Sequence, residues 1–357
     1  MQKLKNIEFL RTLLILLIIF HHAFIDRSWT LCTLYPQINI YKTLQSFISH
    51  AYNAVEAFFI ISGFFLGMSK KTPSVIDFIK KKFARLLPVI AFSMIICLVG
   101  TILGAFHFNV IANLMTVLLL NNIIICNSIG QNPILWYTSA LFGGLLIYFL
   151  ILKHSKNSIP IIATLTVFSY LVLEVINHGQ FNHPLKNYYY VFNIGFLRAM
   201  GGIGLGILIS KFWTKYSAKI SEIKINTIFY DFSEMFFFSL FIWWLATPHL
   251  KCNNFIFVGI FTVLFMLFLI KKGFISKLTD NDIWQNFGKY QYCLYVIHYV
   301  IIKITGIIIW QKYPQFVGSH PILPIFIMFV IIVVLSVFAY HFVEIKGGEF
   351  TKKCLKI

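Results

Sequence analysis

"LRTLLILLIIFHHAF", residues 10–24, is an apolar run with an arginine near one end and two adjacent histidines near the other. Its length suits one membrane-crossing helix, which needs about 20 mainly apolar residues. The rest of the chain repeats the pattern. Of 357 residues, 59% are hydrophobic and only 12% are charged, about half the charged share of a soluble domain. That leaves too little polar surface to cover a globule in water, so the lateral surface meets hydrocarbon. The chain reads as an all-α polytopic membrane protein, one integral membrane domain over 1–357, lodged in the cell membrane.

Segments of spanning length fall at about 9–26, 49–68, 87–106, 134–152, 159–176, 193–210, 227–246, 254–270, 290–310 and 322–343. These make ten transmembrane helices. An eleventh apolar stretch, 111–125, is short and holds Asn113, Asn121 and Asn122. It reads as a re-entrant or interfacial helix, with a further crossing as the alternative.

Charge chooses between them. With the N-terminus cytoplasmic and 111–125 not crossing, 23 of the 30 lysines and arginines face the cytoplasm and 5 face outward, while Arg198 and Lys303 fall inside spans. A crossing at 111–125 would swap every later loop and largely remove this asymmetry. Ten spans with both termini cytoplasmic is the better reading. The net charge of +18 therefore belongs to loop retention and anionic lipid. Nucleic acid is not an expected partner, because no aromatic-basic stripe lies on a polar element.

Six cysteines form no CxxC pair, and no residue set has metal-ligand spacing. "HHAFIDRS" follows the first run where a cleavage site would stand, so that run is a retained span. The outer stretches 27–48 and 177–192 are rich in Tyr, Asn and His, including Tyr188, Tyr189 and Tyr190. They suit an aromatic belt or a vestibule for a polar substrate.

Ionisable residues inside spans need a reason. His22 lies eleven positions after Arg11, which is about three turns and about 16 Å along the same helix face. Arg11 can snorkel to headgroups while His22 makes a structural hydrogen bond. Alternatively, a neutral imidazole at that depth can accept a proton from a hydroxyl. Glu56, in "YNAVEAFFIISGFFLG", has to be protonated, paired or facing a wet cavity. His22, at comparable depth on the preceding span, is its expected partner, with the carboxylate fixing the imidazole tautomer. Lys82 and Arg85 share a helix face in "DFIKKKFARLLP", with Pro88 near the next span's first turn. Topology, headgroups or an anionic ligand could each require them. Arg198, beside the glycines of "GFLRAMGGIGLGI", calls for a buried anion or carboxylate partner. Tyr295 and His298 are three apart in "YCLYVIHYV", and Tyr340 and Glu344 are four apart in "YHFVEI".

These pieces, in this order, resemble the membrane-bound acyltransferase-3 family, which includes O-acetyltransferases of surface polysaccharide and peptidoglycan. Arg11, ten residues and His22 match the family's first-span motif. "VEAFFIISGFFLG", "FIKKKFARLLP", "LWYTSALFGGLLIYFL", "LRAMGGIGLGIL", "YCLYVIH" and "YHFVE" are similar to its later motifs. One departure stands out. Many relatives carry a glutamate shortly after the Trp of the fourth span, whereas this chain reads Trp136, Tyr137, Thr138, Ser139, Ala140. The chain also ends soon after Glu344, where some relatives continue into an esterase-like domain.

The resemblance implies transfer of an acyl group, commonly acetyl, from acetyl-CoA or another acyl-CoA. The acceptor is a hydroxyl of a glycan, a lipid-linked sugar or a similar molecule. No permanent cofactor is implied. In that reading Arg11, Lys82, Arg85 and Arg198 hold the donor, His22 is the general base and Glu56 orients it. Tyr295 and His298 are oxyanion or acceptor contacts. A transporter or flippase of a polar or lipid-linked substrate is the rival class, since many spans with buried ions are common there.

Overall fold

The computed structural model describes residues 4–25, 30–70, 73–122, 130–182, 184, 186–188, 192–223, 225–247 and 253–356. Tyr189 and Tyr190 lie outside the described residues, as do 123–129. Ten apolar helices occupy the expected places: α1 (Lys5–Phe24), α2 (Ala54–Met68), α3 (Val75–Ile102), α4 (Trp136–His154), α5 (Ser158–Asn177), α6 (Ile194–Glu222), α7 (Thr227–Ala246), α8 (Phe255–Ile270), α9 (Gln291–Thr305) and α10 (Leu323–Phe338). Nine helical stretches among the described residues are long and apolar enough to cross a membrane, and α8 is a shorter apolar helix. In hydrocarbon a helix satisfies its own backbone, which is why these runs fold this way. The chain is a multi-pass membrane protein.

The helix ends follow local chemistry. The Asn193 side chain accepts from Phe196 N to cap α6, and Asn226 accepts from Ile228 N to cap α7, each at 3.0 Å. α3 differs from the sequence expectation. It begins at Val75, where Ser74 Oγ accepts from Asp77 N at 3.0 Å, and runs straight through Pro88. The run Lys80–Arg85 belongs to this helix, as the shared face of Lys82 and Arg85 suggests, and Pro88, expected near the first turn of the span, lies well inside it. Among the described residues, the 111–125 stretch contributes the helix Val110–Val117, whose eight residues rise about 12 Å, too short to cross. Between α5 and α6, Asn187–Tyr188 pairs antiparallel with Phe192–Asn193.

The chain divides into two compact units, Met1–Leu16 with Ser49–Thr72 and Gly143–Gly288, and Leu17–Ile48 with Pro73–Phe142 and Lys289–Ile357. In the first unit α2 and α6 approach almost backbone to backbone. A β-carbon at Gly63 would strike the Ile203 carbonyl, and one at Gly206 would strike the Ile60 carbonyl. Small residues that admit a close neighbour are the usual device of membrane helix packing. α7 and α8 pack through Phe241, Phe257 and Phe261, with ring centroids 5.9–6.3 Å apart.

In the second unit α9 is the central helix, with every residue from Cys293 to Ile302 buried. Asn132 Nδ2 donates to the Val296 carbonyl at 2.9 Å, and the Tyr295 hydroxyl donates to the Ile134 carbonyl. These bonds fasten the turn before α4 to α9. A π-helical stretch, Ala339–Ile345, continues α10 into a final helix, Lys346–Leu355. Lys80 on α3 donates to the Leu355 carbonyl at 2.8 Å.

Candidate active site

In the second unit His22, near the end of α1, meets His298 of α9. Their ring centroids are 5.4 Å apart and tilted by 37°. Tyr299 stands edge-on to His22, also at 5.4 Å, and His21 lies at 5.5 Å. His21 itself turns to the Ile48 carbonyl, with Nδ1 3.3 Å away. Two neighbouring histidines thus take different roles: one meets the backbone, the other joins an imidazole–aromatic group.

The α9 side of this group is built by helix spacing. Tyr295 and His298, three residues apart, lie on one face with centroids 5.9 Å apart. Tyr137 on α4 meets Tyr295 at 5.2 Å. Since the Tyr295 hydrogen goes to Ile134, it is not available to an oxyanion in this arrangement. His298 Nδ1 lies 3.1 Å from the Leu294 carbonyl, one turn back on its own helix. A carbonyl only accepts, so Nδ1 donates, and the neutral ring presents Nε2 as an acceptor. Both side chains therefore suit contact with a hydroxyl better than stabilisation of an oxyanion.

Further along the same unit, Lys82 lies over the Phe78 ring at 5.5 Å. Arg85 is exposed, and its charge acts on both Lys82 and Glu344. Glu344 also accepts from Cys293 Sγ at 3.2 Å. The expected pair of cations is thus assembled on one helix with a carboxylate nearby, and Tyr292 closes the group by donating to the Leu86 carbonyl at 2.7 Å.

The first unit holds the buried ion pair. Arg198 Nε donates to Glu56 Oε2 at 3.3 Å, and the two side chains are 1% and 0% exposed. Tyr170 donates to Glu56 Oε1 at 2.8 Å. Arg198 also donates to the Phe181 carbonyl at 2.7 Å and the Tyr52 carbonyl at 3.3 Å. The Phe181 ring stacks against it with the guanidinium 5.1 Å from the centroid. Gly202 leaves the space that Glu56 occupies, for a β-carbon there would meet Oε1 at 2.8 Å. The carboxylate that Arg198 required is Glu56. His22, the partner expected for Glu56, belongs to the second unit, and each Glu56 oxygen already accepts within the first. Arg11, also in the first unit, pairs with Glu8 at 2.9 Å one turn earlier on α1.

Tyr170, Phe181 and Tyr299 escaped the sequence reading. Each is an aromatic residue in an aromatic-rich chain, where only packing shows which ring meets an ion or an imidazole. Tyr170 carried the one usable signal, a ring hydroxyl beside Ser169 in the mostly apolar "FSYLVL" of α5.

No curated protein and no solved structure gives a match to this chain. One family does, the acyltransferase-3 family, described as an acyltransferase domain, over residues 4–341. The match takes in every helix from α1 to α10, along with both histidines of the imidazole pair and the buried ion pair. The chain belongs to the acyltransferase-3 family and is a membrane acyltransferase.

Proposed function

We propose that this enzyme moves an acyl group, acetyl in the first instance, from acyl-CoA to a hydroxyl of a surface glycan or lipid-linked sugar. The observation that supports the reading is His22: a half-buried imidazole inside a span, facing a second imidazole and a tyrosine ring. His22 acts as general base. As the acceptor oxygen attacks the thioester carbonyl, His22 takes the hydroxyl proton. The new O–C bond forms, the C–S bond breaks, and the proton passes to the departing sulfur.

Lys82 and Arg85 hold the anionic phosphates of the donor, with Glu344 limiting how strongly the cations repel each other. Arg11, about 16 Å from His22 along α1, is a third donor contact that the family resemblance implies. That distance is comparable to the reach of a pantetheine arm. Arg198 is enclosed by Glu56, Phe181 and Tyr52, so its part is to position the fold around Glu56 and not to bind phosphate. The charge distribution favours both termini, and the basic end of α3, on the cytoplasmic side where acyl-CoA is made.

The experiment uses membranes containing the enzyme, labelled acetyl-CoA and a crude glycan and lipid-linked acceptor fraction. Wild type is expected to label the acceptor and His22→Ala to lose that labelling. Equal labelling by both would remove His22 from the reaction, and none by wild type would remove this donor–acceptor pair.

A further inference from the structure

The link between α8 and α9 holds two short helices, Phe274–Leu278 and Asp282–Gly288. Each carries an apolar pair four residues apart, Phe274 with Leu278 and Ile283 with Phe287, and all four side chains are 53–64% exposed. Lys271, Lys272, Lys277, Asp280 and Asp282 are interspersed with them, as in a polar connection between spans. Large apolar side chains exposed in such a connection call for a cover.

The helix surfaces indicate which cover. At 100° per residue, Ile283 and Phe287 lie about 40° apart on one edge of their helix. On the next edge, Trp284 packs edge-on against Phe9 of α1, with ring centroids 4.8 Å apart, and Gly288 leaves room for Glu8. Gln285, Asn286 and Asp282 take the remaining arc, where Asp282 accepts from Lys5 at 2.8 Å and stays 77% exposed. The helix thus has a protein edge, an aqueous edge and an apolar edge, the arrangement of a helix lying in a membrane surface. Phe274–Leu278 repeats it. Ser276, on the side away from Phe274, is buried, and its backbone N–H donates to Glu234 of α7 at 3.0 Å. Lys277, next to Leu278, is exposed.

The length of α8 points the same way. Its 16 residues rise about 24 Å, about 6 Å short of the hydrocarbon thickness. The edge of the hydrocarbon therefore falls past Ile270, at the level of the residues that follow it.

We propose that residues 273–288 lie in the leaflet surface where α8 ends, with Phe274, Leu278, Ile283 and Phe287 among the acyl chains and Lys277 at the lipid phosphates. The partner is the phospholipid surface itself. Through Trp284 on Phe9 and Asp282 on Lys5, the segment also fastens the start of α1 to that surface.

The test uses the purified full-length protein in phospholipid nanodiscs. Two carbene precursors are photolysed in separate samples: a phosphatidylcholine with a diazirine on its acyl chain, near the glycerol, and a water-soluble cationic diazirine. Trypsin cuts after Lys272, Lys277 and Lys289, so Gly273–Lys277 and Leu278–Lys289 are released as separate peptides for mass spectrometry. The acyl-chain probe is expected to modify both peptides at the four apolar residues. The aqueous probe should modify Leu278–Lys289 at Asn281, Asp282 and Asn286 instead. Ile283→Glu combined with Phe287→Glu should lower acyl-chain adducts on Leu278–Lys289 by about tenfold, because charged side chains leave hydrocarbon, while Gly273–Lys277 keeps its own.

Aqueous adducts on the four apolar residues, with none from the acyl-chain probe, would overturn the proposal and leave this face open to a soluble protein. Protection of all four from both probes would overturn it in favour of a second copy of the chain. If the double variant does not fold, the two probes on the unaltered protein still decide.

Discussion

Arg198 reaches Glu56 across the contact between α6 and α2, and almost no part of either side chain is exposed. In hydrocarbon, one of these charges without the other would be costly. The pair is set by backbone geometry as much as by charge: Gly202 and Gly206 on α6, with Gly63 on α2, bring the helices close enough to meet. Tyr170 from α5 then caps the remaining carboxylate oxygen. Three helices are tied together at one carboxylate.

Breaking that pair from one side should therefore unfold the protein more readily than removing it altogether. Arg198→Met is expected to destabilise by about 3–5 kcal/mol, because it strands Glu56. Arg198→Met combined with Glu56→Gln should recover part of that loss. Thermal unfolding in detergent measures both. A double variant as damaged as the sum of the singles would show that the two residues do not act as a unit.

The glycine contact makes a separate claim. Gly206→Ala places a methyl group against the Ile60 carbonyl, and backbone on both sides has little room to move. Overpacking of this kind costs about 1–3 kcal/mol. Gly259 has open space around it, so Gly259→Ala serves as the matched control and should leave the melting temperature nearly unchanged. Similar shifts for both would mean that the α2–α6 contact is looser than described.

Chemistry should depend on His22 far more than stability does. His22 is half-buried, and its removal leaves no stranded ion. His22→Ala is expected to lower the transfer rate by about 10²–10⁴-fold, the usual weight of a positioned general base. The melting temperature should move little. A comparable fall in both would assign His22 to packing instead.

Nine spans and the shorter apolar α8 were legible because each is an apolar run, which in α1 outweighs Glu8, Arg11 and the two histidines. The start of α3 was not. Its first turns carry Asp77, Lys80, Lys81 and Lys82, charges that keep the apolar signal from starting before about residue 87, whereas the helix itself starts at Val75, where Ser74 caps it. Glu56 and Arg198 were each recognisable as costly residues in need of partners. Their pairing depends on which face of α6 meets α2, and the glycines give proximity without naming the contact. The orientation of His298 was beyond reach for a similar reason, since its tautomer is fixed by a backbone carbonyl that any residue at 294 would supply.

Donor binding should be sensitive to salt and to the cations of α3. Replacing Lys82 and Arg85 together by alanine is expected to raise the acetyl-CoA concentration for half-maximal rate by about tenfold or more, since hydrogen bonds to charged groups contribute about 1.5–3 kcal/mol each. Acceptor half-saturation should not follow. Raising the salt concentration should weaken donor use by wild type more than by the double variant. Equal salt dependence would remove these two side chains from the donor site.

Two cysteines report on orientation. Cys354 is exposed in the last helix, on the side where the charge count places the cytoplasm. Cys32 lies outside the spans and donates to the Tyr41 carbonyl at 3.2 Å, and burial pushes its thiol up to about 11. The thiolate is the reactive form, so at pH 8 only about one Cys32 in a thousand is reactive, against a sizeable share for an ordinary thiol near 8.5. In a protein with Cys126 and Cys252 replaced by serine, a membrane-impermeant maleimide should label Cys354 quickly in inside-out vesicles and hardly at all in intact cells. Cys32 should stay slow at pH 8 and speed up about a hundredfold by pH 10, because its thiolate fraction rises tenfold per unit below its pKa. Rapid labelling of Cys354 from outside intact cells would reverse the orientation and move the basic end of α3 away from the cytoplasmic donor.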